Sequence, residues 1–228
     1  MVFEVQSTVY YILAVTAIVS ILIMIVYSQV KKFDPLDEPT GVVLLAMMFV
    51  DFVDGMVKTN TNNKVAEKLS PYIASTMLYI LVANISGLLA FDPPTSNYSV
   101  TLTLAAVSCF LIEYWSIKSK GVKGWFKGLF EPMAPFVIIN LISKLGTLLS
   151  LSLRLFGNII AGSILMQVIY QMFAMVSGMI PVIGGFNIFG VLICPFLHMY
   201  FDLFSGLMQT YLFCTLTCAF IGNELPSE

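Results

Sequence analysis

The chain has 228 residues, of which 58% are hydrophobic and 11% are charged, and its formal net charge at pH 7 is -2. Soluble domains are about 45–50% apolar and about 25% charged, so this composition excludes an ordinary soluble domain and indicates an integral membrane protein. The small net charge says little about partners, because the charged residues cluster at the predicted membrane edges.

The first predicted element is a membrane span over residues 9–27, an apolar run with no charged residue and about the length that a span requires. No basic residue precedes this run, whereas Lys31 and Lys32 follow it. A signal peptide shows the opposite order, so the pattern predicts a retained span with its N-terminus outside.

The second predicted element, residues 41–58, is shorter and carries Asp51 and Asp54 on one face. If this segment crossed the membrane, one of the two lysine groups that flank it would lie outside, against the positive-inside rule. We therefore expect an amphipathic helix that lies on the cytoplasmic surface. The flanking lysines are Lys31, Lys32, Lys58, Lys64 and Lys68.

Two further spans are predicted over residues 72–91 and 100–117. A turn without lysine separates them, and a segment with four lysines follows the second. The first of these spans therefore leads outward and the second returns to the cytoplasm. Nine of the eleven basic residues then fall in the two predicted cytoplasmic stretches, and the C-terminus is predicted to be cytoplasmic.

The last two predicted elements are long helices over residues 133–176 and 188–221, joined by an external loop without lysine. At 1.5 Å per residue the first would extend about 66 Å, roughly twice the thickness of the hydrocarbon core. It is either two spans broken near Gly146 or Gly157, or one strongly tilted helix, and its polar periodicity favours the single helix. The predicted fold is thus one all-α polytopic membrane domain over residues 1–228, with a long tilted C-terminal helix hairpin.

A stripe of polar residues follows one face of the first long helix. At 100° per residue its members fall within an arc of about 120°. Arg154 is the only arginine in the chain, and no other charge lies within nine residues of it. A charge at the bilayer centre costs about 2.5–3.5 kcal/mol on insertion scales, so the stripe should face protein or water. The stripe consists of Asn140, Ser143, Lys144, Thr147, Ser150, Arg154 and Asn158.

The final helix carries a tighter stripe, in which His198, Asp202, Ser205 and Gln209 lie within about 60° of one another. His198 is the only histidine of the chain. Ionisable residues inside a membrane mark ion pathways more often than not. The alternative is a buried polar cluster that only holds helices together.

Three stretches resemble a known family. The sequence LSLRLFGNIIAG (151–162) closely resembles the signature of subunit a of the rotary F-type ATP synthase, in its bacterial form. YSVTLTLAAV (98–107) and the basic segment that follows it are similar to the family's fourth helix and cytoplasmic loop. GLMQTYLFCTLTCAFIG (206–222) is similar to its C-terminal helix.

The resemblance implies a function and a set of partners. It implies a non-catalytic stator subunit of the membrane sector, with two offset half-channels that carry protons or sodium to and from the carboxylates of the c-subunit rotor ring. Ion flow would thereby be coupled to rotation and ATP synthesis. The implied partners are the c-ring, the subunit b peripheral stalk and the lipid bilayer, and the implied location is the bacterial inner membrane.

The resemblance also implies roles for single residues. Arg154 matches the essential arginine that faces the rotor ring and separates the half-channels, and Asn158 matches the asparagine of the same motif. Gln209 matches the glutamine of the final helix near that arginine. Asp202 matches an outer half-channel position held by an acid or a histidine, and Asn84 matches a half-channel asparagine.

Some positions depart from the family pattern. Ser150 matches a serine one turn before the arginine, but Ser163 stands where many bacterial relatives have glutamate. Asn140 stands where an acid is often found. We therefore expect the outer half-channel to depend on His198 and Asp202.

The inner half-channel is expected to depend on water, on Lys144 and on acids such as Glu113 or Glu131.

Two other functions were compatible with parts of the sequence. An intramembrane hydrolase would use His198 and Asp202 as a metal or acid–base pair, but the chain has no second histidine and no H-E-x-x-H motif. A secondary ion transporter would usually show an internal repeat, and none is evident. No cofactor, no metal and no nucleic-acid partner is predicted. The four cysteines are expected to be small core residues: Cys109, Cys194, Cys214 and Cys218.

Overall fold

The computed structural model describes residues 7–34, 38–89, 93–131, 133, 135–179 and 187–225. The end of the predicted 72–91 span and most of the predicted external loop before residue 188 lie outside these ranges. Within them the regular structure is entirely helical. The helices are α1 (Ser7–Lys32), α2 (Gly41–Asn60), α3 (Asn63–Ile85), α4 (Tyr98–Phe130), α5 (Phe136–Gly178), α6 (Ile188–His198) and α7 (Ser205–Glu224), with short 3₁₀ segments at Ser86–Leu89 and Pro94–Ser96.

Four helical segments are long and apolar enough to cross a membrane, which confirms an all-α polytopic membrane protein. They are Thr8–Lys32, Tyr98–Phe130, Phe136–Gly178 and Ile188–Glu224. In the part of the chain that the structure describes, α2 and α3 do not meet this criterion. The position of α2 on the membrane surface stays a prediction. The predicted span within α3 stays a prediction, because its first turns carry charged side chains and shorten its apolar part.

The core lies around α3 and α7: α3 packs against α2 and α7, and α4 packs against α7. Ile73 and Ile80 of α3 are fully buried there together with Val57 of α2 and Phe213 of α7. The long helix α5 differs, because only 6% of its most apolar stretch is buried. It runs unbroken for 43 residues, so there is no break at Gly146 or Gly157. Most of the α5 surface therefore faces lipid or a protein partner.

Gly121 divides α4 into two helical parts. Its backbone has φ 72° and ψ 161°, a conformation that glycine adopts without a steric penalty. The short helix after it turns back, so that Nε1 of Trp125 donates a 2.7 Å hydrogen bond to Glu113, twelve residues earlier. A straight helix would separate these two residues by about 18 Å. The basic segment, for which the family resemblance implies a cytoplasmic loop, is therefore a helix folded against the first part of α4 and against α5.

A π-helical turn (Met199–Phe204) joins α6 to α7 without a break in the helical segment. The predicted 60° polar stripe assumed a regular α-helix. A π turn holds more residues than an α turn, so the assumed angles do not apply from His198 to Ser205. The π turn contains Asp202, and none of its residues is buried.

Gly222 marks a close approach between α7 and the end of α2. A Cβ atom added there would overlap the backbone carbonyl of Asn60, which cannot move aside as a flexible side chain would. We expect Gly222→Ala to destabilise the protein by about 1–3 kcal/mol through overpacking. The measurement is the thermal midpoint of the purified protein in detergent. Gly146→Ala is the control, because no atom lies within 4 Å of its added Cβ; equal midpoints for the two variants would contradict this packing.

Candidate functional site

Arg154 lies half-buried on α5 with little to compensate its charge. Its Nη2 atom is 3.5 Å from Oγ of Ser150, one turn earlier, and it forms no salt bridge with any acid in the described ranges. Guanidinium does not lose its proton in proteins, so this side chain stays charged. Of the two cations on α5, Lys144 pairs with Glu113, whereas Arg154 has no acidic partner among the described residues.

The contact between α5 and α7 defines what lies beside Arg154. Oγ of Ser205 donates a 2.8 Å hydrogen bond to Oδ1 of Asn158. Arg154 is one turn before Asn158 on α5, and Gln209 is one turn after Ser205 on α7. Because the two helices are antiparallel, Arg154 and Gln209 lie at the same level of the hairpin. Gln209 is only 6% exposed, and its Nε2 atom has no hydrogen-bond partner among the described residues.

Asn84 supports α7 from the opposite side. Its Nδ2 atom donates to the carbonyl of Gly206 at 3.2 Å and to Oγ1 of Thr210 at 3.4 Å. Its Oδ1 atom accepts a 2.9 Å hydrogen bond from Thr95. This buried amide therefore links α3, the second 3₁₀ segment and α7. It has its partners within the protein and holds the part of α7 that carries Gln209.

His198 and Asp202 form a pair at the junction of α6 and the π turn. Nδ1 of His198 is 3.1 Å from Oδ2 of Asp202, and the two side chains are 40% and 28% exposed. The ring of Tyr170 on α5 lies 5.9 Å from the His198 ring, centroid to centroid. Ser163 is exposed, and its hydroxyl donates to its own helix at Ile160. Along the hairpin, Ser163 lies between the Asn158–Ser205 contact and the Tyr170–His198 contact.

Near the start of α5, a second group of charged side chains forms what we call the Glu113 cluster: Glu113, Trp125 and Lys144. Nζ of Lys144 lies 2.6 Å from each carboxylate oxygen of Glu113. Trp125 donates to the same carboxylate at 2.7 Å, and Nζ of Lys144 is 5.3 Å from the centroid of the Trp125 ring. The Lys144 charge is thus compensated, in contrast to that of Arg154.

Asn140 lies one turn before Lys144 but does not reach the carboxylate. Its Nδ2 atom donates to the backbone carbonyls of Leu129 at 2.9 Å and Glu131 at 3.2 Å. It therefore satisfies carbonyls at the C-terminal end of the short helix after Gly121 and fastens that helix to α5. The side chain of Glu131 pairs only loosely with Lys127, at 3.9 Å.

Two cavities flank the Glu113 cluster. One has a volume of about 230 Å³ and the other about 250 Å³, and both are lined by Ser143, Lys144 and Glu224. Trp125 lines only the first, and Glu113 lines only the second. Thr147, the next polar residue toward Arg154, also lines the second cavity.

Glu224, at the end of α7, lines both cavities and links α7 to α4. Its Oε2 atom accepts a hydrogen bond from Ser116 at 2.7 Å and pairs with Lys120 at 2.6 Å. The sequence did not predict Glu224 or Trp125 as site residues. Their partners are distant in sequence, and the contact of Trp125 with Glu113 depends on the backbone turn at Gly121.

The polar stripe predicted on α5 is therefore divided between surroundings. Asn140, Ser143, Lys144 and Thr147 lie at the Glu113 cluster and its cavities. Ser150, Arg154 and Asn158 lie near the middle of α5, beside α7.

The described residues include no group of three or more His, Cys, Asp or Glu side chains that could hold a metal ion. The cysteines are free thiols, and three of them are buried, as expected of small core residues, while the fourth is half-buried: Cys194, Cys214 and Cys218, and Cys109.

Comparison with known proteins agrees with the resemblance seen in the sequence. Residues 9–222 match the family described as the ATP synthase A chain. ATP synthase subunit a of Desulforamulus reducens is 33% identical over 179 residues, which cover 78% of this chain and 65% of that relative, just under two thirds of its length. ATP synthase subunit a of Staphylococcus aureus (strain JH9) is 30% identical over 234 residues, which cover 97% of this chain and 91% of that relative. The chain therefore belongs to the ATP synthase A chain family.

Proposed function

We propose that this chain is the ion-translocating stator subunit in the membrane sector of an F-type ATP synthase, and that Arg154 separates two half-channels. The observation that carries the proposal is the charge of Arg154. It lies on the most exposed of the long helices, level with the buried Gln209, and has no acidic partner among the described residues. Such a charge calls for an anion supplied by another subunit.

The chemistry of guanidinium explains the role. A rotor carboxyl that passes Arg154 is driven to ionise, because a nearby fixed positive charge stabilises the carboxylate. The ion is then released on one side of Arg154, and the next carboxylate is loaded on the other. The same charge repels a cation that would leak between the half-channels. A membrane potential supplies about 2.3 kcal/mol per charge per 100 mV to drive these steps.

The two half-channels are assigned to the two polar regions on either side of Arg154. The outer one passes the His198–Asp202 pair, whose side chains are partly exposed, and continues past Ser163 toward Gln209. The inner one passes Thr147 and the cavities at the Glu113 cluster. Asn84 is assigned to support of α7 at the outer half-channel, since its polar atoms are engaged within the protein.

The exposed face of α5 is assigned to the c-ring. A Cβ added at Gly157 or Gly162 would have no atom within 4 Å, so the surface of α5 is open at these two positions on the C-terminal side of Arg154. Small residues let helices approach closely in a membrane. The remaining contacts are assigned to the subunit b stalk and to lipid of the bacterial inner membrane, with the N-terminus outside and the C-terminus in the cytoplasm.

We expect Arg154→Ala to assemble into the complex but to lose ATP-driven ion pumping, because no other fixed cation faces the rotor carboxyl. Arg154→Lys should restore little, since ammonium is a more strongly hydrated point charge that can lose its proton when buried. Pumping is measured in membrane vesicles with a pH-sensitive or sodium-sensitive dye. Lys127→Ala, which removes a cation whose side chain is 80% exposed, should pump normally. Normal coupled pumping by Arg154→Ala would refute the proposed role.

The outer pathway predicts a graded effect of its two ionisable residues. Asp202→Ala should cut ion flux severely, because the carboxylate attracts the incoming cation, whereas His198→Ala should cut it moderately. Ser163→Glu should partly rescue Asp202→Ala, since Ser163 lies along the same stretch of the hairpin. The measurements are ATP synthesis and passive ion conduction in vesicles from each variant. Conduction by Asp202→Ala at the wild-type rate would mean that the pair only packs the hairpin.

The proposed orientation predicts which surfaces a membrane-impermeant thiol reagent can reach. A cysteine at Ser96 should react from outside intact cells, and one at Lys123 only after the cytoplasmic face is opened. Lys123 is exposed and takes part in none of the ion pairs described above. The unsubstituted chain provides the background, because three of its cysteines are buried. Equal labelling of the two positions in sealed cells would refute the orientation.

A further inference from the structure

The Glu113 cluster raises a question that the rotor chemistry at Arg154 does not answer. Both side chains of the ion pair are 30% exposed, so neither is deeply buried and neither is freely solvated. The carboxylate is nevertheless engaged by three donor contacts, two from Lys144 and one from Trp125. A group that takes up and releases ions would be expected to keep acceptor positions free, and this carboxylate has most of them occupied.

The position of the cluster is equally specific. Lys144 lines both cavities, whereas Trp125 lines one and Glu113 lines the other. The cluster therefore stands between two spaces, each large enough for several water molecules. An ion that moves between Arg154 and the cytoplasm through these spaces passes beside the Lys144–Glu113 pair.

The fold holds the cluster from several directions. The turn at Gly121 brings Trp125 back over Glu113, and Asn140 fastens the end of that short helix to α5. On the other side, the bond from Ser116 and the salt bridge from Lys120 tie the end of α7 to α4 through Glu224. Trp125 is thus a positioning residue, which keeps the carboxylate against the ammonium group.

The charges explain why such an arrangement is needed. Lys144 lies ten residues before Arg154, about 15 Å along α5. An unpaired ammonium group there would repel a cation in the passage, as Arg154 does, and an unpaired carboxylate would retain one. With Nζ 2.6 Å from both oxygens, the two charges cancel at short range.

We propose that Glu113 and Lys144 form a charge-neutral lining of the inner half-channel, in which ion passage requires that the two charges cancel and not that either side chain carries the ion. This inference rests on the proposed function and deepens it. Water in the two cavities carries the ion past the pair. The pair keeps Lys144 from acting as a second barrier beside Arg154.

A double-mutant cycle in the assembled complex tests the inference. Glu113→Gln leaves Lys144 unpaired, and Lys144→Gln leaves Glu113 unpaired. Each should reduce passive ion conduction per assembled complex by about tenfold, the effect of about 1.4 kcal/mol on a barrier. The double variant carries neither charge and should conduct within roughly twofold of the wild type, because the two effects are coupled.

A matched control is available in the same region. Lys127 is 80% exposed and pairs only loosely with Glu131, at 3.9 Å, so Lys127→Gln should leave conduction unchanged. If the single variants at the cluster fail to assemble, Lys144→Arg and the double variant are tested instead. Both leave the pair without net charge, so the inference requires that both conduct.

The possible results distinguish a charge-neutral lining from an ion-carrying side chain and from a purely structural role. A double variant that assembles but conducts as poorly as the single variants would show that one of the side chains carries the ion, and would overturn the inference. Single variants that conduct like the wild type would show that the cluster only holds helices together, and would also overturn the inference. Arg154→Ala is measured in the same vesicles to separate the two proposals. If it loses coupled pumping while Glu113→Gln conducts normally, only the inference about the cluster fails.

Discussion

The structure depends on one constraint, a permanent positive charge on an apolar helix that offers it no acidic partner. Guanidinium does not lose its proton in proteins, and among the described residues the side chain of Arg154 donates a hydrogen bond only to the hydroxyl of Ser150, at 3.5 Å. Placing such a charge in a membrane costs several kcal/mol unless something compensates it. Under the proposed function, another subunit supplies the compensating anion, and the exposed face of α5 is complete only in the assembled complex.

The rest of the fold holds this face in place from behind. The buried core around α3 contains α2, α4 and α7, while α5 contributes few buried residues. Asn84 bonds to Gly206 and Thr210 and so fixes α7 against α3. The Ser205–Asn158 bond then sets the register of α7 on α5, and Gln209 comes level with Arg154. A chain of polar contacts thus runs from the buried core to Asn158, one turn from Arg154.

The helical segments of the fold could largely be predicted from the sequence, because a membrane helix requires a long run of apolar residues. The unbroken length of α5 is the alternative that its polar periodicity favoured, whereas the surface position of α2 with Asp51 and Asp54 stays a prediction. Two features could not be predicted in this way. The return of the helix after Gly121 depends on one positive φ value, and the π turn changes the register that a fixed 100° per residue assumes.

The roles of single polar residues were harder to predict, since the same side chain can line a pathway or satisfy the backbone. Asn140 lies on the predicted stripe, yet its amide binds carbonyls of the short helix that follows Gly121. The sequence offers Glu113 only as one of two candidate acids, and in the structure its carboxylate contacts Lys144 and Trp125. Periodicity identifies the face of a helix, but the partner on that face comes from another element.

The two positively charged side chains of α5 have opposite surroundings: one is paired with a carboxylate and the other is not. This difference links the geometry to the proposed mechanism. Lys144 meets a carboxylate at 2.6 Å and the face of Trp125, whereas Arg154 meets a neutral hydroxyl. If both cations were unpaired, two barriers to a cation would stand in series along α5, and the inner one would serve no purpose. If both were paired, nothing would drive the rotor carboxyl to ionise. Under the proposed function, the observed combination leaves a single electrostatic barrier, and it lies on α5, the least buried of the four long apolar segments in the part of the chain that the structure describes.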